Sequence, residues 1–479
     1  MVNQKIRDQY KVTIGIECHV QLATKTKLFS GVSNDARRAK PNSLISHIDL
    51  GLPGALPVLN EKAIMFASRA ALALGTKPEK YSQFDRKHYF YPDLPMGYQI
   101  TQFYYPIIKS GQVKFDVEGQ EKVVHIHEAH LEADAGKSTH PEGADYSLVD
   151  LNRAGTPLLE IVSKPEMHSA IEAKAYAREL WLLMRFAEIS DADLYQGNMR
   201  FDVNVSVSKN KTLGTRTETK NLNSFKSVEK AVEYEVNRQI ELLEKGQSVV
   251  QETRGWDEAK QKTFGQRGKE EAHDYRYMPD PDLPPVEISQ KIIDDIEKTM
   301  PPNPSEYRKS FTGSGFEAQF IEDLLTDVIK SRTVLSVLHK YSQDHAKRIA
   351  FWLVQTDLES SKGNNLPDNL IIELVKVSEM VNSGQLSSTG AKKVTNKLLK
   401  SGGSAKLAAQ ELGVEQVSDQ TELQKIIKEV LGQNEAAVTD IKNGELKAIG
   451  FLVGQVMKLS KGSANPGLTQ QMIKKQLGL

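Results

Sequence analysis

The residues best equipped for chemistry are carboxylates and one imidazole set at strand spacing. Residues 12–22 alternate with period two, so Ile14, Ile16, Cys18 and Val20 share one face while Gly15, Glu17, His19 and Gln21 share the other. Glu17 and His19 therefore point the same way from one strand, as a metal chelate requires and a surface ion pair equally allows. Glu132 and Asp134 repeat the two-residue spacing. Glu160 stands alone in the apolar run Pro157-Leu158-Leu159-Glu160-Ile161-Val162. Inside a sheet it would be costly to bury unless paired or bound to a cation; otherwise it marks a strand's solvent face. An oxygen-rich set with one imidazole suits Mg²⁺ or Mn²⁺ better than a structural zinc. His125, His127, His130 and His140 form a second group, but without the spacing of a zinc signature they read as surface imidazoles.

Nucleotide-binding signatures are incomplete. Ala135-Gly136-Lys137-Ser138 matches the second half of a phosphate-binding loop, yet Leu131 occupies the place of its first glycine. Gly313-Ser314-Gly315-Phe316-Glu317-Ala318 is the nearest approach to a dinucleotide fingerprint, and it follows no strand. Any ATP site must be built otherwise. Residues 85–98 set Arg86 and Lys87 beside Tyr89, Phe90, Tyr91 and Tyr98. Such cations can hold phosphate and such rings can stack a base, and the same aromatics can equally cover a core. No Ser/His/Asp arrangement emerges, and Cys18 on the apolar face reads as inert packing. The chain offers no nucleophile of its own.

These residues need a sheet to position them. Residues 200–208 alternate as well, with Phe201, Val203, Val205 and Val207 opposite Arg200, Asp202, Asn204 and Ser206. Arg216, Glu218 and Lys220 line one face of the next strand. If these strands and the first lie in one sheet, they make a polar floor. Asn60 caps a helix whose Ile64, Ala67, Ala71 and Leu74 follow helical spacing, and Gly75 closes it. Two more helices fall near residues 168–187 and 224–245. Alternating strands and helices in irregular order predict an α+β fold with an antiparallel or mixed sheet. Turn-rich stretches at 279–285 and 301–304 place a boundary near residue 295, after which the sequence reads almost wholly helical. Lys400-Ser401-Gly402-Gly403-Ser404 has the composition of a flexible joint, dividing a helical domain (296–400) from a tail (405–479).

The 479 residues suit about three domains. Lys+Arg and Asp+Glu are both 62, so net charge is zero, which excludes a wholly basic nucleic-acid binder but not a local basic patch. From residue 451 onward there are Lys458, Lys461, Lys474 and Lys475 and no Asp or Glu: a solvated face, or a phosphate contact to nucleic acid. One cysteine excludes an internal disulfide framework and suits a reducing compartment. No signal-peptide pattern and no apolar run of the ~20 residues a bilayer needs give the expectation of a cytoplasmic protein with no membrane partner.

Together the strings resemble the B-subunit family of the tRNA-dependent amidotransferases (GatCAB). The resemblance rests on Ile14-Gly15-Ile16-Glu17-Cys18-His19-Val20-Gln21-Leu22, Leu50-Gly51-Leu52-Pro53-Gly54-Ala55-Leu56-Pro57 and Arg86-Lys87-His88-Tyr89-Phe90-Tyr91-Pro92. It continues through Asn152-Arg153-Ala154-Gly155-Thr156-Pro157, Gln196-Gly197-Asn198-Met199-Arg200, Lys220-Asn221-Leu222-Asn223, Glu271-Ala272-His273-Asp274-Tyr275-Arg276-Tyr277 and, near the end, Ala448-Ile449-Gly450-Phe451. It runs nearly end to end and is looser between about 295 and 440. The resemblance implies ATP- and Mg²⁺-dependent phosphorylation of the side-chain carboxylate of misacylated Glu-tRNA(Gln), Asp-tRNA(Asn) or both. Ammonia from the glutaminase (the A-subunit) then displaces the phosphate, and the C-subunit completes a heterotrimer. It implies a cradle-like α+β domain (1–295) with a largely antiparallel sheet, a helical domain and a YqeY-type tail that grips tRNA through Lys458, Lys461, Lys474 and Lys475. Carried over by motif, Glu17, His19, Glu132 and Glu160 would be catalytic metal ligands, and Arg86, Lys87, Asn152, Arg153 and Arg200 would contact phosphate or substrate. Many members bind zinc through four cysteines; here those positions are Ser30, Val32, Ser46 and Asp49, so no structural zinc is expected. A non-catalytic tRNA-binding scaffold and a free-standing metal-dependent phosphohydrolase are the rival readings.

Overall fold

The computed structural model describes all residues except 1, 142, 269–274, 357–364, 416–419, 443–444, 446, 461–463 and 479. Residues 271–274 of the Glu271 string, and Lys461, lie outside the described residues. The chain divides into two compact units, Met1–Pro304 and Ser305–Leu479.

The first unit is built on an 11-stranded sheet. In chain order its strands are β1 (Lys11–Gln21), β2 (Asp85–His88), β3 (Tyr98–Thr101), β4 (Gln112–Val117), β5 (Gln120–Ala133), β6 (Pro157–Ser163), β7 (Met199–Ser208), β8 (Thr217–Leu222), β9 (Glu252–Asp257), β10 (Lys262–Gly268) and β11 (Met278–Pro279). The spatial order is β10-β9-β8-β7-β1-β6-β5-β3-β2-β11, with β4 paired to β5. Every pairing in it is antiparallel except β8 with β9. The fold is therefore α+β with a largely antiparallel sheet.

The alternation of β1 and β7 does what the sequence requires of it. Ile14, Ile16, Cys18 and Val20, with Phe201, Val203, Val205 and Val207, are buried in one apolar cluster. Helices α1 (Glu61–Ala73), α2 (Ala170–Phe186), α3 (Phe225–Glu244) and α4 (Gln290–Lys298) add Phe66, Tyr176, Val232 and Ile293 to it. Burying that apolar area, at about 25 cal/mol per Å², is what holds helices to sheet and leaves the polar face open. Caps fix the helix starts: Asn60 accepts from Lys62 N (3.0 Å), Ser169 from Glu172 N (3.2 Å) and Ser224 from Ser227 N (3.0 Å).

The second unit is helical, from the helix Pro304–Gly313, which begins at the boundary, to Pro466–Leu477. Its final part has its own core of Leu423, Ile427, Val430, Ile449, Leu452, Val456 and Ile473. Gly402 and Gly403 both stand at positive φ. The helix after it is tied back by Ala405 N donating to Glu373 Oε2 (2.7 Å). No helix among the described residues is long and apolar enough to cross a membrane.

Candidate active site

Strand register assembles the site. His19 on β1 faces Glu160 on β6 and Arg200 on β7, and Glu160 faces His130 on β5. His130, Glu160, His19 and Arg200 thus form one row across four strands. His19 Nε2 lies 3.5 Å from Glu160 Oε2 and 3.8 Å from Glu132 Oε1. His130 Nε2 lies 3.3 Å from Glu160 Oε2 and 3.9 Å from Glu132 Oε2. Ligand atoms of His19, Glu132 and Glu160 fall within 4.8 Å of one another. Glu17 stands one two-residue step, about 7 Å, down the same strand face. That step carries it to a second group: Glu17, Asp202 and Glu218 also bring ligand atoms within 4.8 Å.

The electrostatics of this floor are unbalanced. Burial pushes the Glu132 carboxyl up, and the charge of Glu160 adds to that against His19, His130 and Lys87. Burial also raises Glu17, helped by Glu160, Glu218 and Asp202. Glu160 goes the other way: burial is outweighed by the flanking imidazoles of His130 and His19, which hold it well below the usual carboxylate range. Burial alone would lower His19, but Glu160, Asp202 and Glu132 raise it to about 9. Lys220 Nζ stands at the second group, 3.4 Å from Glu218 Oε1 and 3.9 Å from Asp202 Oδ2. Buried carboxylates at mutual repulsion, with two imidazoles among them, are a set that could hold a hard divalent cation. The His130 Nδ1 atom is buried without a hydrogen-bond partner, 3.8 Å from Glu128 Oε1.

Residues 12–294 match the model of the GatB/GatE catalytic domain, and residues 334–477 match that of the GatB domain. The chain belongs to the GatB family. Its relatives include the aspartyl/glutamyl-tRNA(Asn/Gln) amidotransferase subunits B of Thermoanaerobacter sp. (strain X514), 41% identical, and Persephonella marina, 42% identical. The one from Thioalkalivibrio sulfidiphilus is 44% identical. Each alignment covers 98% of this chain and 99 to 100% of the relative.

Around the GatB-family cluster, the other expected residues take distinct places. Lys87 Nζ sits over the Tyr275 ring at 4.8 Å and the Tyr89 ring at 5.8 Å, and its charge reaches Glu132. Arg153 binds Asp134 Oδ2 through Nε (3.1 Å) and Nη2 (2.6 Å), while Arg200 stands 3.9 Å from Asp134 Oδ1. Asn152 is buried and accepts from Leu44 N (2.8 Å), a structural tie. Arg86 is engaged by Asp280 (2.9 Å) and Asp282 (2.8 Å) and stacks on Tyr98, so it braces β11 instead of facing the carboxylates. Lys458, Lys474 and Lys475 are exposed on the last two helices.

The histidine group disperses. His125 pairs with Glu166 (2.9 Å), His140 with Ser147 (2.7 Å), His127 is exposed, and His130 alone enters the site. Gly136 and Lys137 lead into a short strand, not a helix, so they lack the helix N-terminus of a phosphate loop. Cys18 is buried, and burial raises its thiol well above the usual range, in keeping with inert packing. Ser30 and Ser46 both bond Asp49, beside Lys27. Asp202, Glu218, His130 and Tyr277 lie outside the expected ligand set. The polar-face alternation of β7 and β8 is the signal that marks Asp202 and Glu218. Tyr277 stacks on Phe103 (3.8 Å), and its hydroxyl is raised by burial and by Tyr275, Glu132 and Glu160.

Proposed function

We propose that this chain is the B-subunit of a glutamine-dependent tRNA amidotransferase. It phosphorylates, with ATP, the side-chain carboxylate of Glu or Asp esterified to tRNA. It then amidates that group with ammonia supplied by the glutaminase, working in a heterotrimer with the A- and C-subunits. The observation that carries this reading is the convergence of His19, Glu132 and Glu160 beside Glu17, Asp202 and Glu218 on one polar face of the family's catalytic domain.

The reaction balances without a protein nucleophile. A substrate carboxylate oxygen attacks the γ-phosphorus and ADP leaves; ammonia then attacks the acyl carbon, phosphate leaves and a proton is released. His19, Glu132 and Glu160 would hold one Mg²⁺, and Glu17, Asp202 and Glu218 a second. When bound, Mg²⁺ neutralises charge on the transferring phosphoryl group. Arg200, beside His19 in register and 3.9 Å from Asp134, is placed to orient the substrate carboxylate or the phosphate. Lys87 is held over the Tyr89 and Tyr275 rings, and Tyr89 and Tyr277 lie close enough for Glu132 to raise their hydroxyls. Aromatic rings near the carboxylates would limit water at an acyl phosphate that water would otherwise hydrolyse. Lys458, Lys461, Lys474 and Lys475 serve as phosphate contacts to tRNA, and the protein works in the cytoplasm.

The test is Glu160→Ala in the heterotrimer. Transamidation falls at least about 100-fold while tRNA binding is retained, the size of loss expected when a group organising charge in the transition state is removed. In the same binding assay, Lys474→Glu with Lys475→Glu weakens tRNA several-fold at low salt and little at high salt. Transamidation at the normal rate by Glu160→Ala sinks the catalytic assignment. ATP turnover without tRNA or partners would point to a phosphohydrolase.

A further inference from the structure

Lys27 is completely buried, with a relative exposure of 0%, and Asp49 is 5% exposed. Lys27 Nζ donates to Leu44 O (2.7 Å) and lies 3.4 Å from Asp49 Oδ2. Asp49 in turn accepts from Ser30 Oγ (2.9 Å), Ser46 N (2.8 Å) and Ser46 Oγ (2.9 Å). Burial lowers the Lys27 ammonium, and Asp49 opposes that shift. Two opposite charges taken out of water gain little net stability, and a well-packed apolar pair would often serve as well or better. What the charged pair supplies and an apolar pair cannot is direction: its hydrogen bonds fix Leu44 O, Ser46 N and Ser46 Oγ of the 44–49 loop, and Ser30 Oγ beside it.

That loop is sewn to the turn that carries Arg153. Leu44 N donates to Asn152 Oδ1 (2.8 Å), and Asn152 Nδ2 donates to Lys40 O (2.8 Å). Asn42 N donates to Asp150 Oδ1 (3.0 Å), Asn42 Nδ2 to Val149 O (2.8 Å), and Leu151 N to Asn42 Oδ1 (2.8 Å). On the other side, Leu28 N donates to Gly155 O (2.9 Å). Gly155 has φ +82, and a Cβ there would meet Asp49 Oδ1 at 2.9 Å and Lys27 Cδ at 3.5 Å. The ion pair therefore packs directly against the turn, and only glycine admits the approach. Arg153, between Asn152 and that turn, delivers its guanidinium to Asp134 beside Arg200.

We propose that the buried Lys27–Asp49 pair is a positioning device that acts through the 40–49 loop to hold Arg153 at the edge of the carboxylate cluster. The kinetic consequence rests on the amidotransferase reading; the structural one does not. The experiment compares wild type, Lys27→Met, Lys27→Met with Asp49→Leu, and Ser46→Ala, each in the heterotrimer with the A- and C-subunits. It reads thermal midpoint, kcat and KM for misacylated tRNA and ATP, and amide hydrogen exchange over residues 40–52 and 150–156. Lys27→Met alone strands a buried carboxylate and lowers the midpoint. The apolar double variant recovers the midpoint, yet its exchange at 150–156 is faster and KM for one substrate rises about tenfold, the scale of a modest misplacement of a binding group.

A purely structural pair would change the active fraction, hence apparent kcat, and leave KM alone. Ser46→Ala, which keeps both charges, speeds exchange over the same residues to a smaller extent and serves if the double variant does not fold. Unchanged KM and unchanged exchange at 150–156 in the double variant, or unchanged exchange in Ser46→Ala, overturn the proposal. A wild-type complex without amidotransferase activity overturns the functional reading instead, while the exchange data still decide this one.

Discussion

Glu235 on α3 and Glu132 on β5 are both buried carboxylates of the same unit, 0% and 6% exposed, and their surroundings differ in sign. Glu235 meets Arg238 Nη2 at 2.8 Å, Arg254 Nε at 2.9 Å and Thr217 Oγ1 at 2.9 Å, and Thr263 Oγ1 donates to it as well. Burial would raise it, but Arg238, Thr263 and Arg254 hold its carboxyl below the usual range. Glu132 is raised by burial and by Glu160, with two imidazoles as its nearest counterweights. One group is held ionised by the fold; the other is pushed toward its neutral form. The first is what a wing of sheet needs to pack against a helix. The second leaves a carboxylate that a bound cation could complete.

The largest effect that separates the two is on stability. Glu235→Ala strands Arg238 and Arg254 and costs about 3–5 kcal/mol in denaturant unfolding. Its sign with pH follows. Because the folded pKa is depressed, the contribution of Glu235 is present above the ordinary value of 4.5 and is lost as pH falls through the lower folded value. Wild type therefore loses stability in that acid range, and Glu235→Gln lacks this part of the loss. Equal acid profiles would erase the distinction between the two carboxylates.

Glu132→Gln gives the opposite pattern. In chelator its thermal midpoint is no lower than that of wild type, since a repelling charge has gone. Saturating Mg²⁺, worth about 2–3 kcal/mol to wild type at 100 times Kd, stabilises the variant much less. An equal Mg²⁺ response in both proteins would show that Glu132 is as self-contained as Glu235. The smallest effect concerns Lys220, the partial counter-ion of the second acidic group. Lys220→Met removes a competing charge worth about 1 kcal/mol where water screens it fully and tightens Mn²⁺ binding a few-fold in a titration. Weaker Mn²⁺ binding would place Lys220 as a support of that group.

Much of this is legible in the sequence. The period-two alternation of residues 12–22 sets Glu17 and His19 on one face, and the apolar run around Glu160 marks it as anomalous. The helix cap at Asn60 stands in plain view. What alternation cannot say is which strands become neighbours and in what register, and that alone decides that Glu160 meets His19 while Glu17 meets Asp202. His130 is obscured for a more local reason. Register shifts between Ile126 and Glu128 break the alternation of β5, so buried Val124 and Ile126 give way to buried Ala129, Leu131 and Ala133. The histidines before this bulge face solvent and the one after it faces the site. A similar irregularity lies between Phe201 and Val203, where Asp202 Oδ1 accepts from Asn221 N (2.8 Å) at a left-handed residue (φ 61°).

The row of His130, Glu160, His19 and Arg200 also bears on how the protein is born. Its members come from β5, β6, β1 and β7, so β1, made first, waits for partners synthesised more than a hundred residues later. Pairings of such long sequence separation close slowly and late. During synthesis the acidic side chains remain dispersed and hydrated, and their repulsion is imposed only when the last central strand docks. Until then the unfinished edges of β1 are open to mispairing, a period in which a chaperone has most to protect.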